Sequence, residues 1–138
     1  MTSYPVEIPA DSEVFGTTTA GFERFGYSPA VRAHNHLFIA GQIGSRPDGT
    51  VPDTVEEQTE RALLRIEEIL QLEKLGLSDL VEVTSYHVDI QRNLPGFLET
   101  KKRLIKAPYP AWSMIGTNGL ARPDFLIEIK AVAAYPGN

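Results

Sequence analysis

The sequence predicts an α+β fold, a mixed β-sheet with two amphipathic helices packed on one face. Three observations carry this. Two longer segments place apolar residues at spacings of three and four, several short segments are rich in β-branched and aromatic residues, and the two kinds alternate along the chain. A length of 138 residues argues for one domain. We expect residues 13–138 to form it. Residues 1–12 carry two prolines and little periodicity, and read as a loosely held arm.

The elements follow in order. His36-Leu37-Phe38-Ile39-Ala40 is short and apolar, and Gly41-Gln42 ends it, as in a buried strand. Arg46-Pro47-Asp48-Gly49-Thr50 is a turn, with Pro presetting φ early and Gly accepting a positive φ later. A helix is expected over about 54–74, with Val55, Ala62, Leu63, Ile66, Ile69 and Leu70 on one face and Glu and Arg on the other. Thr54 and Glu57 fit a capping box, and Gly76 is expected to stop the helix. Residues 79–90 read as a strand. Asn93 caps a second helix to about Lys106, whose stripe is Leu94, Phe97, Leu98, Leu104 and Ile105. Strands at about 111–117 and 124–134, joined by the turn-rich stretch 118–123, complete the order β-β-α-β-α-β-β. Two helices on one sheet face are the economical packing. The other face is then uncovered, which predicts self-association.

Composition excludes several functions. A net charge of −5 is the wrong sign for a general nucleic-acid binder, and the run Lys101-Lys102-Arg103 reads as a solvated helix face. The absence of cysteine removes disulfides, thiolate metal sites and cysteine nucleophiles. The first residues have no basic and then apolar character of a signal peptide, and no apolar run nears the roughly 20 residues that span a bilayer. A cytoplasmic protein that contacts no membrane is expected. His34 and His36 lack a third ligand nearby, so no metal site is expected. Ser85, His87 and Asp89 share a strand face, but they spread over about 13 Å and cannot make successive short hydrogen bonds as a triad.

The words "YSPAV" (27–31), "LFIAGQIG" (37–44), "VEEQTERAL" (55–63), "DLVEVTSYHVDI" (79–90), "YPAWS" (109–113) and "LIEIKAVA" (126–133) occur in this order. The ordered set resembles the Rid family, the reactive-intermediate imine deaminases also called YjgF-like or endoribonuclease L-PSP. The resemblance implies a chorismate-mutase-like subunit and a homotrimer with a central barrel and three clefts between neighbours. Active members look like cofactor-free hydrolases of imines and enamines, typically 2-imino acids, which release ammonia and leave a 2-oxo acid.

The resemblance also implies site residues. Trp112 stands where active members carry the arginine that grips the substrate carboxylate through a planar fork of donors. Tryptophan has one donor and no charge. Either it fills a closed cleft or subunit contact, or it lines a cleft for a flat neutral or cationic ligand. Glu128 matches the glutamate that positions or deprotonates water. Lys130, where members often have a second acid, shares its strand face, so an ion pair that lowers the Glu128 pKa is expected, in a catalytic or a structural role. Tyr27 matches the tyrosine at the cleft mouth. Ala40 replaces a frequent serine, leaving the backbone at Gly41 and Gln42 to bind an oxygen. Ser113 is a further candidate ligand contact, and Arg122 a weak candidate to replace the missing arginine. The expected activity is a cofactor-free imine or enamine deaminase acting on a small molecule other than ordinary 2-imino acids. The alternative is a catalytically inactive ligand-binding trimer, and RNA cleavage ranks last.

Overall fold

In the computed structural model, which describes residues 2–137, six strands form one sheet. Met1 of the expected arm and Asn138 of the expected domain lie outside the described residues. The strands are β1 (Ser3–Val6), β2 (Ala30–Ala33), β3 (His36–Ile43), β4 (Leu80–Val88), β5 (Ala111–Thr117) and β6 (Ile127–Ala134). The helices are α1 (Ala20–Phe25), α2 (Val55–Leu72) and α3 (Ile90–Leu104). The sheet order is β1-β2-β3-β6-β4-β5, antiparallel throughout except for β4 and β5, which α3 joins as a parallel pair. A mixed sheet with its two long helices on one face is the predicted class. Ile127, Ile129, Ala131 and Ala133 of β6 are buried beneath the helices with Leu63, Ile66, Ile69, Leu70 and Phe97. No helix among the described residues covers the opposite face, where Phe38 and Ile115 remain exposed.

Several local expectations need correction. Residues 3–6 of the arm are edge strand β1, paired to β2 with Val6 buried. Tyr4 and Tyr135 both donate to Glu73, at 3.0 and 2.7 Å, and Arg32 lies 3.8 Å from the centre of the Tyr135 ring. Helix α1 was not foreseen, because six residues are too few for a periodic signal. Strand β3 runs on past Ala40 to Ile43 through a bulge, because Ile39 pairs with Ala131 and Gln42 with Ile129. Three steps on β3 therefore match two on β6.

The start of α2 is as expected, with Thr54 Oγ1 accepting from the Glu57 N–H at 3.2 Å. The Glu57 carboxylate turns instead to Arg46, at 3.0 and 3.2 Å. Its end differs. Lys74, not Gly76, takes the left-handed conformation (φ 59°), and the Leu75 N–H reaches the Leu70 carbonyl at 2.8 Å. Helix α3 starts at Ile90, before Asn93, whose side-chain amide donates to the Val88 carbonyl at 2.8 Å.

Candidate functional site

The cleft at the bulged end of β3 has a volume of about 680 Å³, within the range of small-molecule sites. Its walls come from α1, β3, α2 and the loop before β6. Helix α1 closes on Gly26 (φ 76°), and the Tyr27 N–H bonds back to the Phe22 carbonyl at 3.0 Å. That places the Tyr27 ring edge-on to Phe22, with centroids 5.2 Å apart. The loop before β6 is held by Gln58 of α2, whose buried amide donates to the Pro52 and Asp124 carbonyls at 2.8 and 2.9 Å and accepts from the Leu126 N–H at 2.8 Å. The Asp124 and Leu126 bonds fix the chain just before the strand that carries Glu128.

The bulge matters most at Gly41. It turns Gln42 into the core and leaves the Gly41 Cα facing Glu128, so a Cβ there would run into the carboxylate. Glu128 is half-buried on this contact, and burial raises its carboxyl pKa. That reverses the expected direction. Among the described residues Lys130 makes no ion pair with Glu128; it is exposed, opposite the bulge. Tyr27 is pushed up by burial and then by the Glu128 charge, with Arg65 acting the other way. Its phenol stays protonated at neutral pH and is available as a donor.

Of the residues singled out in the sequence, Tyr27, Gly41, Gln42, Glu128 and Ala40 line this one cleft, as does Arg122. Arg122 donates to Asp124 at 2.9 Å beside the Phe125 ring. Trp112 and Ser113 are not brought there within the chain, because β5 is the far edge of the sheet. Trp112 and Met114 face the helices and pack on the core, while Ala111, Ser113 and Ile115 are exposed on the other side, as strand alternation predicts. The Trp112 indole donates to Ser85 Oγ at 2.9 Å, meets Phe97 edge-on, and carries Lys101 Nζ 4.5 Å above its ring. The basic run is therefore not wholly solvated.

Ser85 Oγ lies 2.8 Å from His87 Nε2, but His87 Nδ1 is buried without a partner, so the bond does not run on to Asp89 and no triad forms. Ser85 and His87 are fully buried and Ser85 is already bonded to Trp112, which leaves no nucleophile facing a ligand. Burial also lowers the His87 pKa. No cluster of three or more metal-ligating side chains occurs among the described residues, and no helix there is long and apolar enough to cross a membrane.

Arg65 was missed. It lies three residues after Ala62 and four before Ile69, on the buried stripe of α2 and not on the charged face. A charged residue in register with that stripe was the available signal. Only 4% of Arg65 is exposed, and it lines the cleft beside Ser45 and Gln42. Burial pushes its pKa down to about 10, which leaves it cationic at neutral pH.

Residues 21–135 match the family described as Endoribonuclease L-PSP. RutC family protein YjgH of Escherichia coli is 35% identical over 111 residues, 80% of this chain and 83% of its own length. Reactive Intermediate Deaminase A, chloroplastic, of Arabidopsis thaliana is 31% identical over 123 residues, 88% of this chain and 65% of its own. A solved structure of protein YJGH superposes with a TM-score of 0.82 at 27% identity, covering 97% of this chain and 98% of that one.

Proposed function

The chain belongs to the endoribonuclease L-PSP family, the Rid or YjgF-like proteins, which includes imine deaminases, and from that premise we propose that its cleft hydrolyses the imine or enamine of a small molecule without a cofactor. The observation that carries the reading is the half-buried Glu128 carboxyl, raised in pKa and pressed on Gly41 in a cleft shared with Tyr27. A carboxyl tuned toward neutrality can accept a proton and return it within one turnover.

The chemistry balances on that group. Glu128 takes a proton from water as the water oxygen bonds to the iminium carbon, giving a carbinolamine. The protonated Glu128 then gives the proton to nitrogen, the C–N bond breaks, and ammonia leaves with its electron pair. The hydroxyl proton is lost as C=O forms. An enamine first takes a proton on carbon to become the iminium. The Tyr27 phenol orients the substrate by donation, and the missing Cβ at Gly41 lets the Glu128 carboxylate lie against the backbone beside it.

The assembly that fits this reading is a homotrimer, in which a neighbour's β5 closes each cleft and brings in Trp112 and Ser113. The uncovered sheet face supports it. The tryptophan at the position of the family's arginine supports a substrate other than ordinary 2-imino acids.

The test is ammonia release from imines generated in place, using an amino-acid oxidase for 2-imino acids and an amine oxidase for the others. We expect acceleration with at least one imine from the second source, little with 2-iminobutanoate, and none after Glu128→Gln. Full acceleration by Glu128→Gln would refute the role of Glu128. Rapid turnover of 2-iminobutanoate would refute the substrate restriction.

A further inference from the structure

Arg65 has more donors than the fold uses. Its Nη2 donates to Thr18 Oγ1 at 2.7 Å and, at a long 3.5 Å, to the Ser45 carbonyl. Neither bond uses Nη1, and Nε is buried with no acceptor. The Phe15 ring lies 4.7 Å from the guanidinium carbon, a face that favours a cation without accepting an N–H in the plane of the fork. Among the described residues no carboxylate is within ion-pair distance of it; the nearby Glu68 receives the Ser12 hydroxyl instead. A buried charge of this kind is costly unless something completes its pairing.

The surroundings point the same way. In a chain of net charge −5 the cleft lining carries Arg24, Arg65 and Arg122 against Glu128 as its only acid. Arg122 is neutralised by Asp124, and Arg24 lies over the exposed Phe25 at the rim. The deep, uncompensated positive charge is Arg65, on the wall formed by α2, with Tyr27 feeling both it and Glu128. The charge asymmetry of this cleft is the opposite of the chain's.

We propose that Arg65 is the oxyanion anchor of the Glu128 cleft and binds a carboxylate or phosphate group of the ligand from the α2 wall. This deepens the hydrolase reading and rests on it only for the reaction. The anchor reaches the cleft from within the same chain, from a different element than the β5 position that holds Trp112. The ligand's anionic group therefore sits elsewhere relative to the reacting carbon than a carboxylate held from β5 would.

The experiment is calorimetric titration with 4-oxopentanoate, its neutral near-isostere 4-oxopentanamide, and inorganic phosphate. The proteins are wild type, Arg65→Gln, Arg65→Lys and Glu128→Gln. We expect at least one anion to bind wild type about 10- to 100-fold more tightly than the amide, the span of a charge-assisted contact. Preference for 4-oxopentanoate identifies a carboxylate and preference for phosphate a phosphate ester. Arg65→Gln should lose the preference, Arg65→Lys keep part of it, and Glu128→Gln keep all of it. No charge preference in wild type, or an undiminished one in Arg65→Gln, overturns the anchor.

Because Arg65 also ties α2 to Thr18, Arg65→Gln can fail to fold. The Arg65 Nε–H resonance of wild type then decides: it should shift with the preferred anion and saturate with the calorimetric curve, and an unmoved resonance overturns the proposal. The two readings also fail separately. Arg65-dependent anion binding without imine turnover contradicts the reaction and leaves the anchor standing. Imine turnover with an unchanged KM in folded Arg65→Gln contradicts the anchor and leaves the reaction standing.

Discussion

Burial raises the Glu128 carboxyl above the ordinary value of 4.5, so the folded chain holds this proton more tightly than the unfolded chain does. The resulting contribution to stability is present in full below the ordinary value and is lost as pH rises through the folded pKa. Glu128→Gln is uncharged throughout. It should melt above wild type at neutral pH, with the difference shrinking toward zero at about pH 4, where a free glutamate is itself mostly protonated. Thermal unfolding of both proteins across that range checks it, and a difference that grows as pH falls would contradict the direction of the shift. The residue scale is also where the sequence was most and least informative. Tyr27, Gly41 and Glu128, which the family resemblance singles out, line one cleft. The Glu128–Lys130 pair could not be read from the sequence, because two residues on one strand face share a direction without sharing a partner, and the bulge opposite gives Glu128 a glycine to lie against. Arg65 was legible but unread, since its register with Ala62 and Ile69 placed it inward.

Among the elements, α2 does two jobs through its buried polar side chains: Gln58 fixes the loop before β6, and Arg65 faces the cleft. Gln58→Leu keeps the volume but leaves two carbonyls and the Leu126 N–H unpaired. It should destabilise the fold by roughly 3 kcal/mol, read as a lower denaturant midpoint. At the other end of α2, Lys74 holds φ 59° where glycine is the ordinary choice. Lys74→Gly should therefore be stabilising by up to about 1 kcal/mol, since relief of the left-handed strain outweighs the entropy glycine adds to the unfolded chain. A loss of stability would show that the Lys74 side chain contributes more than its backbone costs. Long periodic elements were read from the sequence to within a few residues, α2 and β5 closest of all. The elements missed were short ones whose formation depends on a distant partner. Strand β1 exists because β2 offers an edge, and α1 because Gly26 can turn the chain back on Phe22.

For the whole molecule, the layer arrangement followed from the order of strands and helices, and the uncovered sheet face followed from the layers. A subunit with Phe38 and Ile115 exposed on that face should sediment as a homotrimer, and a monomer at micromolar concentration would contradict the expected assembly. What the order of elements did not convey is that β5 is the far edge of the sheet, which separates Trp112 from Glu128 within one chain. Tertiary placement of that kind depends on strand order, and strand order is set by pairing between segments distant in sequence. The central claim is that the half-buried Glu128 in this cleft moves the proton that drives imine hydrolysis. The most direct measurement is the initial rate of ammonia release from amine-oxidase-generated imines as a function of pH, for wild type and Glu128→Gln. The account predicts acceleration by wild type that rises with pH through a value above that of an ordinary carboxylate, and none by the variant. Equal rates with and without the Glu128 carboxylate would contradict it.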